Sequence, residues 1–280
     1  MSGMDRNPMT KTLDDVMGES HALLTSVAVE HLPEAILGLY SGGNDSTILI
    51  HLLRDRLDAV AHINTGIGIE ETRQFVRDTC AGWNLELIEE SPPPGATYDE
   101  LVLKYGFPGP AGHMMMYTRL KERGLRAVRK RFITNGRKQR VVFCAGMRRD
   151  ESKRRMRNTE ETHREGSVVW CSPLANWTNE HMAEYRERFP DVPFNEVSAN
   201  LHMSGECLCG AFAKPDEIEQ IRFFYPETAR RIEELEAKAR EAGVHCVWGT
   251  RPPRKQAEPV TDEMASPGPL CTSCANGVED

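Results

Sequence analysis

Residues Ser41, Gly42, Gly43, Asn44, Asp45, Ser46 and Thr47 combine a glycine pair with three hydroxyls and one carboxylate. Adjacent glycines let the main chain turn sharply and bring its N–H groups close to an anion. The hydroxyls add donors, and a helix beginning here would aim its positive end at the same point. This is the chemistry of a pyrophosphate site, without the GxxxxGK[ST] pattern of a Walker A loop. A second group is basic. Ten Lys/Arg and one acid, Glu122, lie between Arg119 and Arg140, and Arg148, Arg149, Lys153, Arg154, Arg155 and Arg157 follow. Such a cluster is either a solvated helix face or an anion site for nucleotide, sulfate or a polynucleotide backbone. The third group is sulfur. Cys207/Cys209 and Cys271/Cys274 are two close pairs among eight cysteines. They read either as buried small hydrophobes or as four thiolates that hold a [4Fe–4S] cluster or a tetrahedral Zn2+, with Cys246 able to replace one of them. Cys80 and Cys171 read as core residues, as does Cys144 on its strand.

The elements that must position these groups alternate. Residues 20–33 read as a helix after a loose, polar N-terminus over 1–19. Ile36–Tyr40 is a short apolar run that enters the Ser-Gly-Gly turn as a buried parallel strand. Thr47–Leu57 has helical spacing, Ala59–Asn64 is a second strand, Glu70–Trp83 a helix and Leu85–Glu89 a third strand. A Pro/Gly loop over Ser91–Ala96 precedes a basic helix over Leu120–Arg131. Val141–Gly146 and Val168–Cys171 are further strands, and Thr178 caps a helix reaching Phe189. Ile218–Ala242 reads as one or two charged helices, and the chain from Thr250 onward is Pro-rich. Strand–helix alternation predicts an α/β fold with a doubly wound, mainly parallel sheet. The expected division is a flexible 1–19, a nucleotide-binding domain over 20–200 and a cysteine-rich helical and irregular region over 201–280.

With 39% hydrophobic and 28% charged residues, the composition excludes a disordered chain. No apolar run is long enough to span a bilayer, and Met1–Asp15 has no secretory h-region, so the expected location is cytoplasmic with no membrane partner. Cysteines in that compartment are thiols rather than structural disulfides. The net charge of −7 argues against nucleic-acid binding by the whole surface and leaves the basic stretch as a local site.

Four stretches, in order over roughly residues 35–195, resemble the PP-loop (N-type ATP pyrophosphatase) superfamily in the form found in phosphoadenylylsulfate (PAPS) reductases. Ser41–Ser46 resembles its SGGxDS signature. His62-Ile63-Asn64-Thr65-Gly66 with Glu70-Glu71-Thr72 resembles DTG…ET, Asn64 standing where the family has Asp. Gly146-Met147-Arg148-Arg149-Asp150-Glu151-Ser152 with Arg154 and Arg155 is similar to GxRxxES…R. Pro173-Leu174-Ala175-Asn176-Trp177 is similar to P-L-x-x-W. The E-C-G-x-H-like cysteine motif of assimilatory PAPS reductases has no counterpart, because Glu206-Cys207 is followed by Leu208-Cys209. The Cys-Cys pair of adenylylsulfate reductases is replaced by Met116-Tyr117-Thr118-Arg119. A PP-loop domain followed by a cysteine cluster resembles the ATP-pyrophosphatase component of DNA phosphorothioation systems.

The resemblance implies an adenine nucleotide alpha hydrolase-like fold and an enzyme that cleaves ATP to AMP and pyrophosphate in sulfur transfer. Its nucleotide site would use Ser41, Gly42, Gly43, Asn44, Asp45, Ser46, Thr47, Asn64, Thr65, Gly146 and Arg154. Asp45, Lys121, Arg148 and Arg149 would be catalytic, with Mg2+ bridging the ATP phosphates. Cys207, Cys209, Cys271 and Cys274 would carry the [4Fe–4S] cluster or zinc. The implied partners are a nucleotide substrate, DNA or tRNA as acceptor, and a cysteine desulfurase-type or thioredoxin-like sulfur donor. Two alternatives stand beside this reading: a sulfonucleotide (PAPS/APS) reductase releasing sulfite, and a non-catalytic ATP-binding subunit with structural zinc.

Overall fold

The computed structural model describes residues 11–151 and 159–252. Its centre is a six-stranded sheet with strands β1 (Ala35–Leu39), β2 (Ala59–Ile63), β3 (Leu87–Glu90), β4 (Val141–Cys144), β5 (Thr162–Glu165) and β6 (Val168–Cys171) in the order β3-β2-β1-β4-β6-β5. All pairings are parallel except β5 with β6. The order reverses direction between β1 and β4. This is the topological switch point at which open α/β sheets bind ligands, outside the carboxyl ends of the strands.

Strand side chains alternate between two cores. On one face Ala35, Leu37, Ala59, Ala61, Val141 and Phe143 pack with Leu125 and Val128 of α6 (Arg123–Phe132). On the other, Val142 and Cys144 pack with Leu13, Val16 and Leu24 of α1 (Leu13–His31), Ile48 and Leu49 of α2 (Asn44–Leu53), and Tyr185 of α7 (Asn179–Arg188). Val60 of β2 packs there with Val76 and Cys80 of α3 (Glu70–Gly82). Helices on both faces bury every central strand, which is why these strands read as apolar runs. Burial also pushes the Cys80 thiol up to about 12, so it stays a neutral packing group.

Several boundaries differ from the sequence expectation. α1 begins at Leu13, inside the stretch expected to be loose. Thr12 and Asp15 form a capping box there, and Leu13, Val16, Ser20, Leu24 and Val27 supply the buried stripe. β5 was not anticipated, because Thr-His-Arg-Glu is wholly exposed and carries no apolar alternation. A polar edge strand of this kind discourages pairing with another chain. The basic helix begins earlier, as α5 (His113–Tyr117), and passes through a π turn over Thr118–Glu122 into α6. α4 (Tyr98–Tyr105) and α8 (Glu196–Leu201) are short additions. The charged C-terminal stretch is two helices, α9 (Glu217–Phe224) and α10 (Pro226–Glu241), with Pro226 opening the second.

A separate apolar core lies beyond the sheet. It joins Tyr98, Leu101 and Val102 of α4, Met116 and Leu120 of the basic helix, Val197, Ile221, Ile232, Leu235 and Trp248. Packing therefore runs continuously across residue 200, between 98–120 and 208–248. Among the described residues no helix is long and apolar enough to cross a membrane.

α2 is tied to α7 by a buried polar chain. The arrangement fits Tyr185 donating to His51 Nδ1 at 2.7 Å while His51 Nε2 donates to Asp191 at 3.1 Å. Burial, the largest influence, holds His51 below its ordinary value of 6.5, while the Asp191 hydrogen bond opposes it. A histidine kept neutral by folding costs stability wherever the unfolded chain would protonate it. The thermal midpoint is therefore expected to fall as pH drops below about 6.5. Calorimetry from pH 8 to 5 should show a shallower decline in His51→Gln than in the unsubstituted protein.

Candidate nucleotide site

The turn after β1 is the Ser41–Ser46 segment. Gly42 has φ +76°, and a Cβ there would come within 2.8 Å of Thr72 Cγ2, so only glycine fits. Asn195 Nδ2 braces the turn by donating to the Gly42 carbonyl at 2.9 Å. Gly43 is the N-cap of α2 and makes no side-chain cap hydrogen bond. The first-turn N–H groups of this ten-residue helix are thus left for another acceptor, the arrangement that binds anions. Ser46 and Thr47 hydroxyls donate to the Gly43 carbonyl at 3.0 and 2.9 Å, which fixes the loop from within.

The turn after β4 lies directly on this loop. A Cβ on Gly146 would meet Ser46 N at 3.0 Å and Asp45 C at 3.1 Å, so a side chain there would lift the two loops apart. Arg148 then reaches Asp45, with Nε to Oδ2 at 2.8 Å, and also contacts Asn179 at 3.1 Å. The Arg148 side chain is 6% exposed and that of Asp45 17%, so this ion pair fixes geometry in a water-poor setting.

A second ion pair closes the opposite wall. Lys121, carried on the π turn, lies 2.9 Å from Glu206, with side chains 7% and 3% exposed. Glu206 also accepts the Thr65 N–H at 3.0 Å. Residues 204–206 are stitched to the loop after β2: Thr65 Oγ1 donates to Glu206 O at 2.9 Å, Thr72 Oγ1 to Ser204 O at 2.6 Å, and Ile69 N to Gly205 O at 2.8 Å. π turns within helices are frequent at functional sites, and this one delivers a buried cation.

These loops enclose a cavity of about 500 Å³ at the carboxyl ends of β1 and β4. Ser41, Gly43, Asn44, Asp45, Ser46, Lys121, Gly146 and Arg148, all candidates from the sequence, are brought together in its lining. Other expected residues stand behind the wall. Gly42 and Thr47 shape the loop, Thr47 being 1% exposed and bonded to Gly43. Asn64 donates to Glu89 at 2.8 Å and accepts from Gly66 N–H at 2.9 Å, and Thr65 anchors Glu206, so neither lines the cavity. Arg149 is not brought to the cavity lining: it donates to Thr159 O at 3.0 Å and also meets Asn176 and Glu161. The reason is local, because its N–H pairs with Ala175 O and turns the side chain toward the 159–161 segment. Arg154 lies outside the described residues.

Sequence reasoning missed Asn195, Ser204 and Glu206. Glu206 had a signal, since an acid inside Ser-Gly-Glu-Cys-Leu-Cys-Gly needs a reason to sit in an apolar run. Arg186 was also missed. Its Nε donates to Asn44 Oδ1 at 2.6 Å while the guanidinium lies over Phe194, 5.1 Å from the ring centroid.

The cavity is rich in acid. Asp45, Glu151, Glu206, Asp216 and Glu217 line it against Lys121, Arg148 and Lys214, and the first two of these cations already face carboxylates. Burial raises Glu217 above its ordinary 4.5. A polyphosphate entering here would need a divalent cation as counter-charge. Among the described residues no group of three or more His, Cys, Asp or Glu could hold a metal ion. Cys207 and Cys209 follow Glu206, and Cys209 is buried at 6% exposure. Cys246 packs against the same core, yet these three thiols do not form a metal-holding group. Cys271 and Cys274 lie outside the described residues.

Removing one partner of a buried ion pair strands the other charge, typically at about 3–5 kcal/mol. Glu206→Ala is expected to lose that much in urea unfolding, whereas Glu206→Leu combined with Lys121→Met should recover most of it. A single variant as stable as the parent would show that the pair is not buried in solution.

Residues 35–199 match the family model described as the phosphoadenosine phosphosulfate reductase domain. No curated protein matches the sequence. Among solved structures, PAPS reductase from Candida auris, as a phosphate complex, is 15% identical with a TM-score of 0.47, covering 69% of this chain and 94% of that one. FMN adenylyltransferase from Candida glabrata with ATP is 12% identical with a TM-score of 0.48, covering 68% of this chain and 59% of that one. NMN synthetase from Francisella tularensis is 14% identical with a TM-score of 0.42, covering 81% and 96%. The family match spans more than half of the sequence, from β1 to within α8, and includes both loops that meet at Gly146. The chain belongs to the phosphoadenosine phosphosulfate reductase domain family.

Proposed function

We propose that this protein is an ATP-dependent adenylating enzyme that cleaves ATP to AMP and pyrophosphate in the service of sulfur transfer. The observation that carries the reading is the uncapped N-terminus of α2, set in a walled cavity at the switch point of the sheet. The phosphates would lie against the 43–46 N–H groups, with the Ser41 and Ser46 hydroxyls on their flanks. Asp45 would hold Mg2+, which when bound supplies charge neutralisation and fixes phosphate orientation. Arg148 keeps Asp45 in place, and Lys121 sits on the opposite wall, where it would meet the leaving pyrophosphate as charge builds.

An acceptor oxygen would attack the α-phosphorus, forming an O–P bond as the bond to the bridging oxygen breaks. The electron pair leaves with pyrophosphate, and AMP remains on the acceptor. A sulfur nucleophile from a donor protein would then displace AMP. DNA or tRNA is the proposed acceptor, on the strength of the basic residues over Arg119–Arg140. In this reading Cys207, Cys209, Cys271 and Cys274 hold a [4Fe–4S] cluster or zinc, and the region from 201 onward serves that sulfur chemistry.

Family membership supports a second reading, reduction of a sulfonucleotide with release of sulfite. The two are separated by products. ATP labelled at the α-phosphate, incubated with Mg2+, is expected to yield AMP or an AMP adduct together with pyrophosphate. Asp45→Asn should slow this by about 100-fold or more, the scale of losing one electrostatic contact in a site. ADP with inorganic phosphate would contradict the adenylation reading. Sulfite from PAPS or APS with a thiol, without turnover of ATP, would establish the reductase.

A further inference from the structure

A second cavity, of about 690 Å³, lies between α6 and the β5–β6 edge. Its volume falls in the range of small-ligand sites. Met147 lines both cavities, so the second adjoins the phosphate cradle at the turn after β4. Nothing in the adenylation mechanism uses its lining.

Its floor is aromatic. Phe143 and Trp170 meet edge-on with ring centroids 5.5 Å apart, and Tyr117 completes the surface. Phe143 and Tyr117 are buried at 1% and 8% exposure, while Trp170 is only partly buried and offers the accessible ring. Polar groups stand around this floor, among them the Ser167 and Ser172 hydroxyls, His163 and Glu160. The charges decide what the cavity accepts. Arg126 pairs with Glu122, Arg129 Nε donates to Ser167 Oγ at 2.6 Å, and Glu160 lies 3.2 Å from His163. Arg129 has only a neutral hydroxyl as its partner, yet Glu122, Glu160 and Glu165 outnumber Arg126 and Arg129, so the lining carries no net positive charge to hold a phosphate. The favourable term left is stacking on Trp170, with hydrogen bonds to a ring edge.

We propose that this cavity is the acceptor subsite and that it takes an uncharged heteroaromatic base, either of a free nucleoside or of a single-stranded nucleic acid. The inference deepens the adenylation reading and rests on it for the word acceptor: a base seated beside Met147 would place its sugar–phosphate near the α-phosphorus.

The test uses the full chain, with α,β-methylene-ATP binding measured first by calorimetry. Adenosine, cytidine, uridine and a single-stranded octanucleotide are then titrated with and without that analogue. Tryptophan fluorescence and the Trp170 indole N–H resonance, assigned by its loss in Trp170→Phe, report binding. Saturable quenching with a shift of the Trp170 resonance is expected. Trp170→Phe should bind within about threefold of the parent, because a phenyl ring still stacks, and Trp170→Leu about tenfold or more weaker. Response to the octanucleotide alone assigns the base to a strand, and response to nucleosides alone to a small acceptor. No saturable response to any of them, a shift that avoids Trp170, or equal binding by Trp170→Leu overturns the proposal. If the bases bind at Trp170 while the ATP analogue does not bind at all, the adenylation reading fails and the base site stands.

Discussion

The contact of Gly146 with the backbone of Asp45 and Ser46 sets the geometry of the whole site. Two loops, one after β1 and one after β4, must touch without a side chain between them. Only then does Arg148 reach Asp45 at 2.8 Å, and only then do the first-turn N–H groups of α2 face a walled cavity rather than bulk water. The sheet order makes this contact available, since β1 and β4 are parallel neighbours whose carboxyl-terminal turns lie side by side. The buried ion pair adds direction more than net stability, because desolvation offsets much of the Coulomb attraction.

The opposite wall is built by chain far away in sequence. Lys121 comes from a π turn in the basic helix and Glu206 from the loop before α9, and Thr65, Ile69 and Thr72 pin that loop down by hydrogen bonds. The apolar core shared by α4, α5, α9 and α10 holds the two segments at this spacing. The region after residue 200 is therefore part of the nucleotide cavity as well as the carrier of Cys207 and Cys209. Any event that moves those cysteines acts on Glu206, their sequence neighbour, and through it on Lys121.

The central strands and the phosphate loop were legible in the sequence because each depends on local rules. Buried parallel strands read as apolar runs, and a glycine pair between strand and helix reads as an anion turn. Gly146 and Arg148 were found through a motif. Glu206, Asn195 and Ser204 were not, since their roles depend on contacts more than 100 residues distant, such as Asn195 with Gly42. Arg149 looked equivalent to Arg148 in the sequence. One residue along the turn, however, rotates the side chain from the cavity to the 159–161 segment. β5 was invisible because its pairing with β6 needs no apolar face of its own.

In the proposed function, the α2 N-terminus, held open by Gly146 and counter-charged by a divalent cation, binds the polyphosphate of ATP. Calorimetric titration of α,β-methylene-ATP into the protein and into Gly146→Val, each with Mg2+ and with EDTA, tests it most directly. Binding by the parent in Mg2+, strong weakening in EDTA, and loss in Gly146→Val without unfolding of the sheet are the expected results. Equal binding by parent and variant, or binding indifferent to the cation, would contradict it.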